Sequence, residues 1–281
     1  MKNKILIVDG HNLLFQMFFG MPARIINKDG KAIQGTLGFV GALLKIIKMV
    51  SPTHVAVLFD GERHNPRTDL DQNYKANRVD YDTVPEEENP FTQLCDIYNA
   101  LDFLGLKHCE TTVCETDDVI AAYALKYGAD NEIIISSFDS DFFQLINEKV
   151  KVLRYRGDNT MVFDCDTFKE KFGILPEFYA DYKSLTGDTA DNIKGADKIG
   201  PKTAAMLVNE FGNIENKISN VEKIAKPSVK RSIIENSERL RLNYKLIKLC
   251  DCAELPFTLD EIEYSYNGIT TTEVLVGIGL K

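Results

Sequence analysis

Nine carboxylates in this chain stand where acids can gather around a substrate: Asp9, Asp60, Glu115, Asp117, Asp118, Asp139, Asp141, Asp188 and Asp191. Asp9 ends the run KILIVD, Asp60 ends HVAVLFD, and Asp139 and Asp141 follow EIIISS. Glu115, Asp117 and Asp118 lie in CETDDVIAAYALKYG, at the N-terminal end of a helical stripe marked by Val119, Tyr123 and Tyr127. Asp188 and Asp191 sit in TGDTADN, three positions apart, where a helical turn would put them on one face. Each group has a plainer explanation when taken singly. Acids at a helix start complement its dipole, and a short acidic stretch beside a glycine is an ordinary solvated turn.

Together they imply more. Converging carboxylates repel strongly in a partly desolvated cleft, and only cations would hold them there. Hard oxygen ligands with no adjacent His or Cys favour Mg²⁺, with Mn²⁺ as its substitute, over zinc. Mg²⁺ takes few protein ligands and keeps its waters, so nine acids suit about two or three ions. Paired ions of this kind serve in-line displacement at phosphorus, which points to a phosphodiester or another phosphoryl substrate.

Such a reaction also needs positive groups. NYKANR supplies Tyr74, Lys75 and Arg78 just after Asp60. Read as a helix, it puts Tyr74 and Arg78 on one face, a ring and cations suited to single-stranded nucleic acid; the alternative is a solvated helix surface. In IGPKTAAMLVNEF, Gly200 would cap a helix and Pro201 would take its first position. Its free N–H groups, with Lys202 and Thr203, could hold a phosphate without reading sequence; the alternative is an ordinary capped helix.

The elements that must position these residues follow from periodicity. The three apolar runs are short and rich in β-branched residues, as buried parallel strands are. Residues 37–50 and 91–104 carry apolar side chains at helical spacing. Strands alternating with helices predict an α/β fold with a mostly parallel central sheet flanked by helices. From about residue 178 short helices take over, and residues from about 255 onward carry little pattern.

Composition sets the outer limits. Apolar residues make up 44% and charged residues 27%, enough for a packed core. No apolar run reaches the roughly 18 residues of a membrane span, and the N-terminus turns acidic too early for a secretory signal; a cytoplasmic protein without membrane contact is expected. The six cysteines (Cys95, Cys109, Cys114, Cys165, Cys250 and Cys252) show no C-x-x-C spacing and read as reduced thiols. The net charge of −9, from 33 basic and 42 acidic side chains, argues against nucleic acid taken alone. The objection weakens once the nine site acids are set aside, because the remainder is near neutral.

The ordered motifs LIVDGHNLLF, LFDGERHNPRTDLDQNYKANR, CETDDVIAAY, SSFDSDFFQLI, DYKSLTGDTADN and KIGPKTAAMLV resemble the 5′-nuclease family, the flap endonucleases and the 5′–3′ exonuclease domain of DNA polymerase I. The resemblance implies that Asp9, Asp60, Glu115, Asp117 and Asp118 hold a first metal, and that Asp139, Asp141, Asp188 and Asp191 serve a second. It implies that Tyr74, Lys75 and Arg78 act near the scissile phosphate. Arg67, Gly195, Ile199, Gly200, Lys202 and Thr203 would contact DNA, the last five in a helix–three-turn–helix motif with a K⁺ ion.

The implied organisation is an α/β nuclease core over residues 1–180, with a helical arch near 79–93, and a helical duplex-binding region over 181–281. The implied activity is cleavage of 5′ flaps and 5′ ends of DNA, with RNA primers also removed, by a monomer linked in function to a DNA polymerase. The chain length points to a stand-alone form, and the complete acid set to catalytic competence. Two departures stand out. GADKIG places Lys198 where the family has glycine, and the arch segment VDYDTVPEEENPFTQ is acidic. Competing functions are a metal-dependent ribonuclease and a non-catalytic junction-binding module.

Overall fold

The runs KILIVD and HVAVLFD are buried on both faces, so neither can sit at the edge of a sheet or against solvent. The structure, a computed structural model, describes residues 3–61, 65–250 and 254–281. Cys252, and residues 62–64 within the second motif, lie outside the described residues. Six strands, β1 (Lys4–Asp9), β2 (His54–Asp60), β3 (Lys107–Thr111), β4 (Glu132–Ser136), β5 (Val150–Arg154) and β6 (Met161–Phe163), run in the order β3-β2-β1-β4-β5-β6. All pairs are parallel except β5–β6. Ile7 at the centre faces Ala56 on one side and Ile135 on the other.

Helices cover both faces. Helices α1 (Gly10–Gly20), α2 (Gln34–Val50) and, after the short α3 (Pro66–Leu70), α4 (Leu94–Phe103) enclose Leu6, Val8, Val57 and Phe59. On the other face Ile5, Ile7, Leu58 and Ile135 meet α5 (Thr116–Tyr127) and the C-terminal elements. Those elements are α6 (Cys165–Phe172), α7 (Tyr179–Thr186), the hairpin β7 (Gly187–Asp188) and β8 (Ile193–Lys194), α8 (Pro201–Phe211), α9 (Ile214–Ser219), α10 (Pro227–Glu235) and α11 (Ser237–Ile247). One core continues from the sheet through Leu185, Leu207 and Ile233, which joins the helical region to the sheet.

The weakly patterned C-terminus has a place. Tyr264 N donates to Thr53 O at 2.9 Å, and α12 (Thr271–Gly277) packs Val274 against Val40, Leu44 and Ala100. A capping box between Thr270 and Glu273 starts that helix.

Residues 79–93 differ from the expected helical arch. They form three single 3₁₀ turns, Tyr81–Thr83, Glu86–Glu88 and Pro90–Gln93. Pro85 and Pro90 interrupt any longer helix, and the side chains of Asp80 and Asn89 cap the first and third turns. Tyr81 and Phe91 then dock edge-on against Phe15 of α1, with ring centroids 5.1 and 5.3 Å apart. Among the described residues the five cysteines are free thiols, and no helix is long and apolar enough to cross a membrane.

Candidate metal centre and nucleic-acid interface

Strand order reverses between β1 and β4, and the crevice outside the carboxyl ends of strands at such a point is where open α/β sheets bind ligands. Asp9 ends β1 there, and Asp139 and Asp141 follow β4. Asp9 accepts from Ser137 Oγ at 2.8 Å and from Asn12 N at 3.1 Å. Burial still lifts its carboxyl to about 7, with Asp60 and Asp139 adding repulsion against those hydrogen bonds. Asp60 accepts from Thr116 N at 3.2 Å, which ties β2 to the start of α5. Asp117, in the first turn of α5, is pushed well above the carboxylate range by burial and then by Asp139, with Asp60 and Asp9 contributing and Lys75 opposing. Asp9, Asp60, Asp117 and Asp139 thus form one mutually repelling group.

A second group lies beside it. Carboxylate oxygens of Asp141, Asp188 and Asp191 all fall within 4.8 Å of one another. The expected helical turn through Asp188 and Asp191 is instead the β7–β8 hairpin. Gly187 at φ +79° and Asn192 at φ +58° are incompatible with a continuing helix. The hairpin nevertheless delivers both aspartates to Asp141. Lys183, on α7 and almost fully buried, bridges Asp141 and Asp188 with its ammonium. Burial alone would lower this lysine, but Asp141, Asp188 and Asp139 hold it above its ordinary range. Burial would raise Asp188, yet Lys183 outweighs it and the carboxyl stays below its usual value. Asp141 is lifted to about 7 by burial despite Lys183.

Glu115 and Asp118 face a different way. Arg67 grips Asp118 through two bonds of 2.8 Å and also bonds Glu115. Glu115 further accepts from Lys75 Nζ and Asn65 Nδ2, each at 2.7 Å, and Asp118 from Cys250 N at 3.1 Å. The structure therefore brings these two acids to protein cations, while Asp9, Asp60, Asp117 and Asp139 share the centre.

Three expectations change accordingly. Arg67 is buried and engaged by two carboxylates and by Lys248 O, so its guanidinium is not presented to DNA. Tyr74 is buried among Ala180, Ile193, Leu246 and Ile247, so its ring is not open for a base to stack on. NYKANR is a run of turns rather than a helix, because Lys75 takes φ +57° and donates its N–H to Asp191 O at 3.0 Å. That bond aims the Lys75 ammonium at Glu115 and leaves Arg78, half-exposed, 3.1 Å from Asp191. Lys75 is held above the ordinary lysine range because Asp117 and Glu115 outweigh its burial.

Sequence reasoning did not single out Lys183, Ser137 or Asn12. For Lys183 a signal existed: a cation among Tyr179, Ala180, Tyr182 and Leu185 needs an acidic partner when that helix is buried.

The donor set fits a hard divalent cation. It consists of carboxylate oxygens, His11 Nδ1 already accepts from Asp60 N at 3.3 Å, and the lifted Asp9 and Asp117 mark a place short of positive charge.

The second expected surface follows the hairpin. A Cβ on Gly195 would lie 2.4 Å from the Thr186 carbonyl carbon, so only glycine lets β8 cross α7 this closely. Ile199 is buried and contributes backbone to the turn. Gly200 precedes α8 without a side-chain cap, and Ala204 N to Gly200 O at 2.9 Å is the first helical bond. The N–H groups of Lys202 and Thr203 come before it and have no intrahelical acceptor. Nothing lies within 4 Å of a Cβ placed on Gly200, so internal packing does not demand glycine there.

Comparison with known proteins gives a consistent placement. Residues 4–173 match the family model "5'-3' exonuclease, N-terminal resolvase-like domain", and residues 174–268 match "5'-3' exonuclease, C-terminal SAM fold". A thermostable DNA polymerase I from Thermus filiformis is 35% identical over 258 residues, covering 92% of this chain and 29% of that protein. The chain thus spans less than a third of the length of this relative. A structure of the bacteriophage T5 D15 protein co-crystallised with metal ions superposes with TM-score 0.71 at 23% identity, covering 87% of this chain and 89% of that one. A T5 D15 flap endonuclease complex with DNA and metal ions superposes with TM-score 0.69 at 23% identity, covering 98% and 93%.

Proposed function

The chain belongs to the 5′–3′ exonuclease family, and on that premise we propose that it is a Mg²⁺-dependent, structure-specific 5′ nuclease that hydrolyses phosphodiester bonds at 5′ flaps and 5′ ends of DNA in replication and repair. The observation that carries this reading is the convergence of Asp9, Asp60, Asp117 and Asp139 beside Asp141, Asp188 and Asp191 in the crevice where strand order reverses. Divalent cations held there would acidify an attacking water and neutralise the leaving oxygen. Mn²⁺ has the same ligand preferences and would substitute.

The chain's own residues take the remaining roles. Lys75 stays an ammonium at neutral pH, so it acts as a cation toward the phosphate and not as a base. Arg78 is the more exposed of the two and approaches the substrate from the Asp191 side. Tyr74 holds that turn in place from within the core. The N-terminus of α8, with Gly200, Lys202 and Thr203, grips duplex backbone, and the K⁺ ion expected at the helix–three-turn–helix motif is part of the same proposal. Backbone contacts do not read bases, so 5′ RNA primers are included among the substrates. The similarity to DNA polymerase I supports a functional link to a polymerase, the substrate supports a cytoplasmic location, and we assign the working unit as a monomer.

The test is cleavage of a labelled 5′-flap DNA, beside the matched RNA flap, by wild-type protein and by D117N and D191N. Each substitution should lower cleavage in Mg²⁺ by more than about 100-fold, beyond the loss typical of an outer-shell change, with folding retained. Full cleavage in both variants would remove the carboxylates from the reaction. Preference for the RNA flap would redirect the assignment to a ribonuclease.

A further inference from the structure

Alternation along β5 puts Val150, Val152 and Arg154 on one face of the sheet, and the two valines belong to the core that also holds Phe143 and Phe163. An arginine thus stands where the pattern calls for an apolar side chain. Its guanidinium carbon lies 4.4 Å from the ring centre of Phe143, 5.5 Å from that of Phe163 and 5.8 Å from that of Phe138. Among the described residues Arg154 forms no ion pair, whereas Lys151 of the same strand lies 3.3 Å from Glu132. Its Nε is buried without a hydrogen-bond partner. Burial draws the group below its ordinary value and Arg156 adds to the shift, with Tyr179 and Asp139 opposing. The rings offset part of the cost of burying this cation. A methionine would fill the same space with no charge to bury.

What a methionine cannot supply is a donor. Arg154 Nη2 donates to Phe138 O at 2.7 Å. Phe138 precedes Asp139 in the turn that follows β4, so this carbonyl belongs to the peptide whose nitrogen is that of Asp139. The nitrogen is held as well: Asp139 N donates to Ser137 Oγ at 2.9 Å, and that hydroxyl donates to Asp9. The Phe138–Asp139 peptide plane is therefore bonded at both of its polar atoms. Phe138 N donates to Asn12 Oδ1 at 2.9 Å, and Asp141 N to Asp139 Oδ1 at 2.8 Å. Asn12 and Ser137 hold the turn from the β1 side, and Arg154 holds it from β5. The turn carries one acid of each carboxylate group, Asp139 and Asp141, so its path sets how the two groups face each other.

We propose that Arg154 is a positioning residue of the metal centre: it pins the Phe138–Asp139 peptide and so sets the direction in which the Asp139 carboxylate meets a divalent cation. The inference rests on the metal-dependent nuclease reading. Arg154 acts through the backbone of Asp139, not by contact with the cation. Its charge works in the opposite sense, because a positive group beside Asp139 disfavours another cation there. Removing the charge alone would tighten metal binding, and removing the hydrogen bond would weaken it, so the sign of the change separates the two.

The experiment is Mn²⁺ binding to the protein without DNA, followed by loss of the free-ion electron paramagnetic resonance signal. R154M, R154Q and the rescue variant R154K are compared with wild type and with K151M, which removes a cation from the same strand. R154M has no donor, and the amide of R154Q is too short to reach Phe138 O. Both should bind Mn²⁺ about 10-fold more weakly, the lower end for a change outside the ligands themselves. R154K keeps a donor and should recover most of the affinity, and K151M should bind as wild type does. In cleavage of the labelled flap, R154M should lower kcat and leave KM for DNA unchanged. Metal-free R154M should melt no lower than wild type, because an apolar side chain replaces a buried cation, so its weaker binding cannot come from damaged folding. Mn²⁺ affinity unchanged or increased in R154M and R154Q would overturn the positioning role while leaving the nuclease assignment standing. Loss of folding in both variants would make Arg154 a core residue and overturn it too. A wild-type protein that takes up no Mn²⁺ would overturn both the role and the assignment.

Discussion

Glu115 and Asp118 on one side and Asp9 and Asp117 on the other lie within one crevice, yet their electrostatics are opposite. The first pair is buried against Arg67 and Lys75, with bonds of 2.7 to 2.8 Å to both acids. The second pair is buried with other aspartates around it, Lys75 opposes them only at Asp117, and its carboxyls are still lifted out of their usual range. Asp141, Asp188 and Asp191 stand between these extremes, partly neutralised by Lys183 and Arg78. Charge that the protein balances itself builds a scaffold, and charge that it leaves unbalanced makes a site that only an added cation completes.

Breaking the scaffold should have the largest effect. R67A leaves Glu115 and Asp118 buried with half their partners gone, and removing one partner of a buried ion pair costs about 3–5 kcal/mol. Denaturant unfolding should show a loss of that size, unchanged by Mg²⁺ if these acids belong to the scaffold. Full recovery by Mg²⁺ would move Glu115 and Asp118 into the cation site and erase the contrast.

D9N tests the other half with a smaller effect of opposite sign. An unfolded aspartate ionises near 3.9, and Asp9 in the folded chain does so near 7. Between those values the folded protein binds more protons, so metal-free stability from this group is full at low pH, falls as pH rises toward 7 and is flat above. D9N should remove that slope and, at pH 8 in EDTA, be more stable than wild type by up to about 4 kcal/mol, less what the weaker bonds of the amide to Ser137 and Asn12 cost. Mg²⁺ should then stabilise wild type more than D9N. An unaltered pH profile in D9N would show that Asp9 carries no such penalty.

The same contrast explains what could be read from the chain. Strands β1, β2 and β4 are visible as β-branched runs, and the acids at their ends follow from strand direction. Strand β3, KHCET, is polar because it is an edge, and β6 is a three-residue edge, so neither carries a strand signal. The helix assigned to 37–50 extends back to Gln34, and that assigned to 91–104 starts at Leu94, since boundaries depend on caps more than on periodicity. The gathering of Asp141, Asp188 and Asp191 follows the expectation from sequence, and the pairing of Glu115 and Asp118 with protein cations is not legible in it. Arg67 meets Asp118 across 51 positions and Lys183 meets Asp141 across 42, and no local pattern encodes such pairs. Tyr74 is a further case. Its burial is decided by Leu246 and Ile247 of α11, far along the chain.

The central claim is that the uncompensated carboxylates take up divalent cations. Anomalous diffraction from crystals grown in Mn²⁺ measures this directly. The account predicts one anomalous peak among Asp141, Asp188 and Asp191 and another among Asp9, Asp60, Asp117 and Asp139, with none between Arg67 and Asp118. Crystals whose Mn²⁺ peaks all lie away from these aspartates would contradict it.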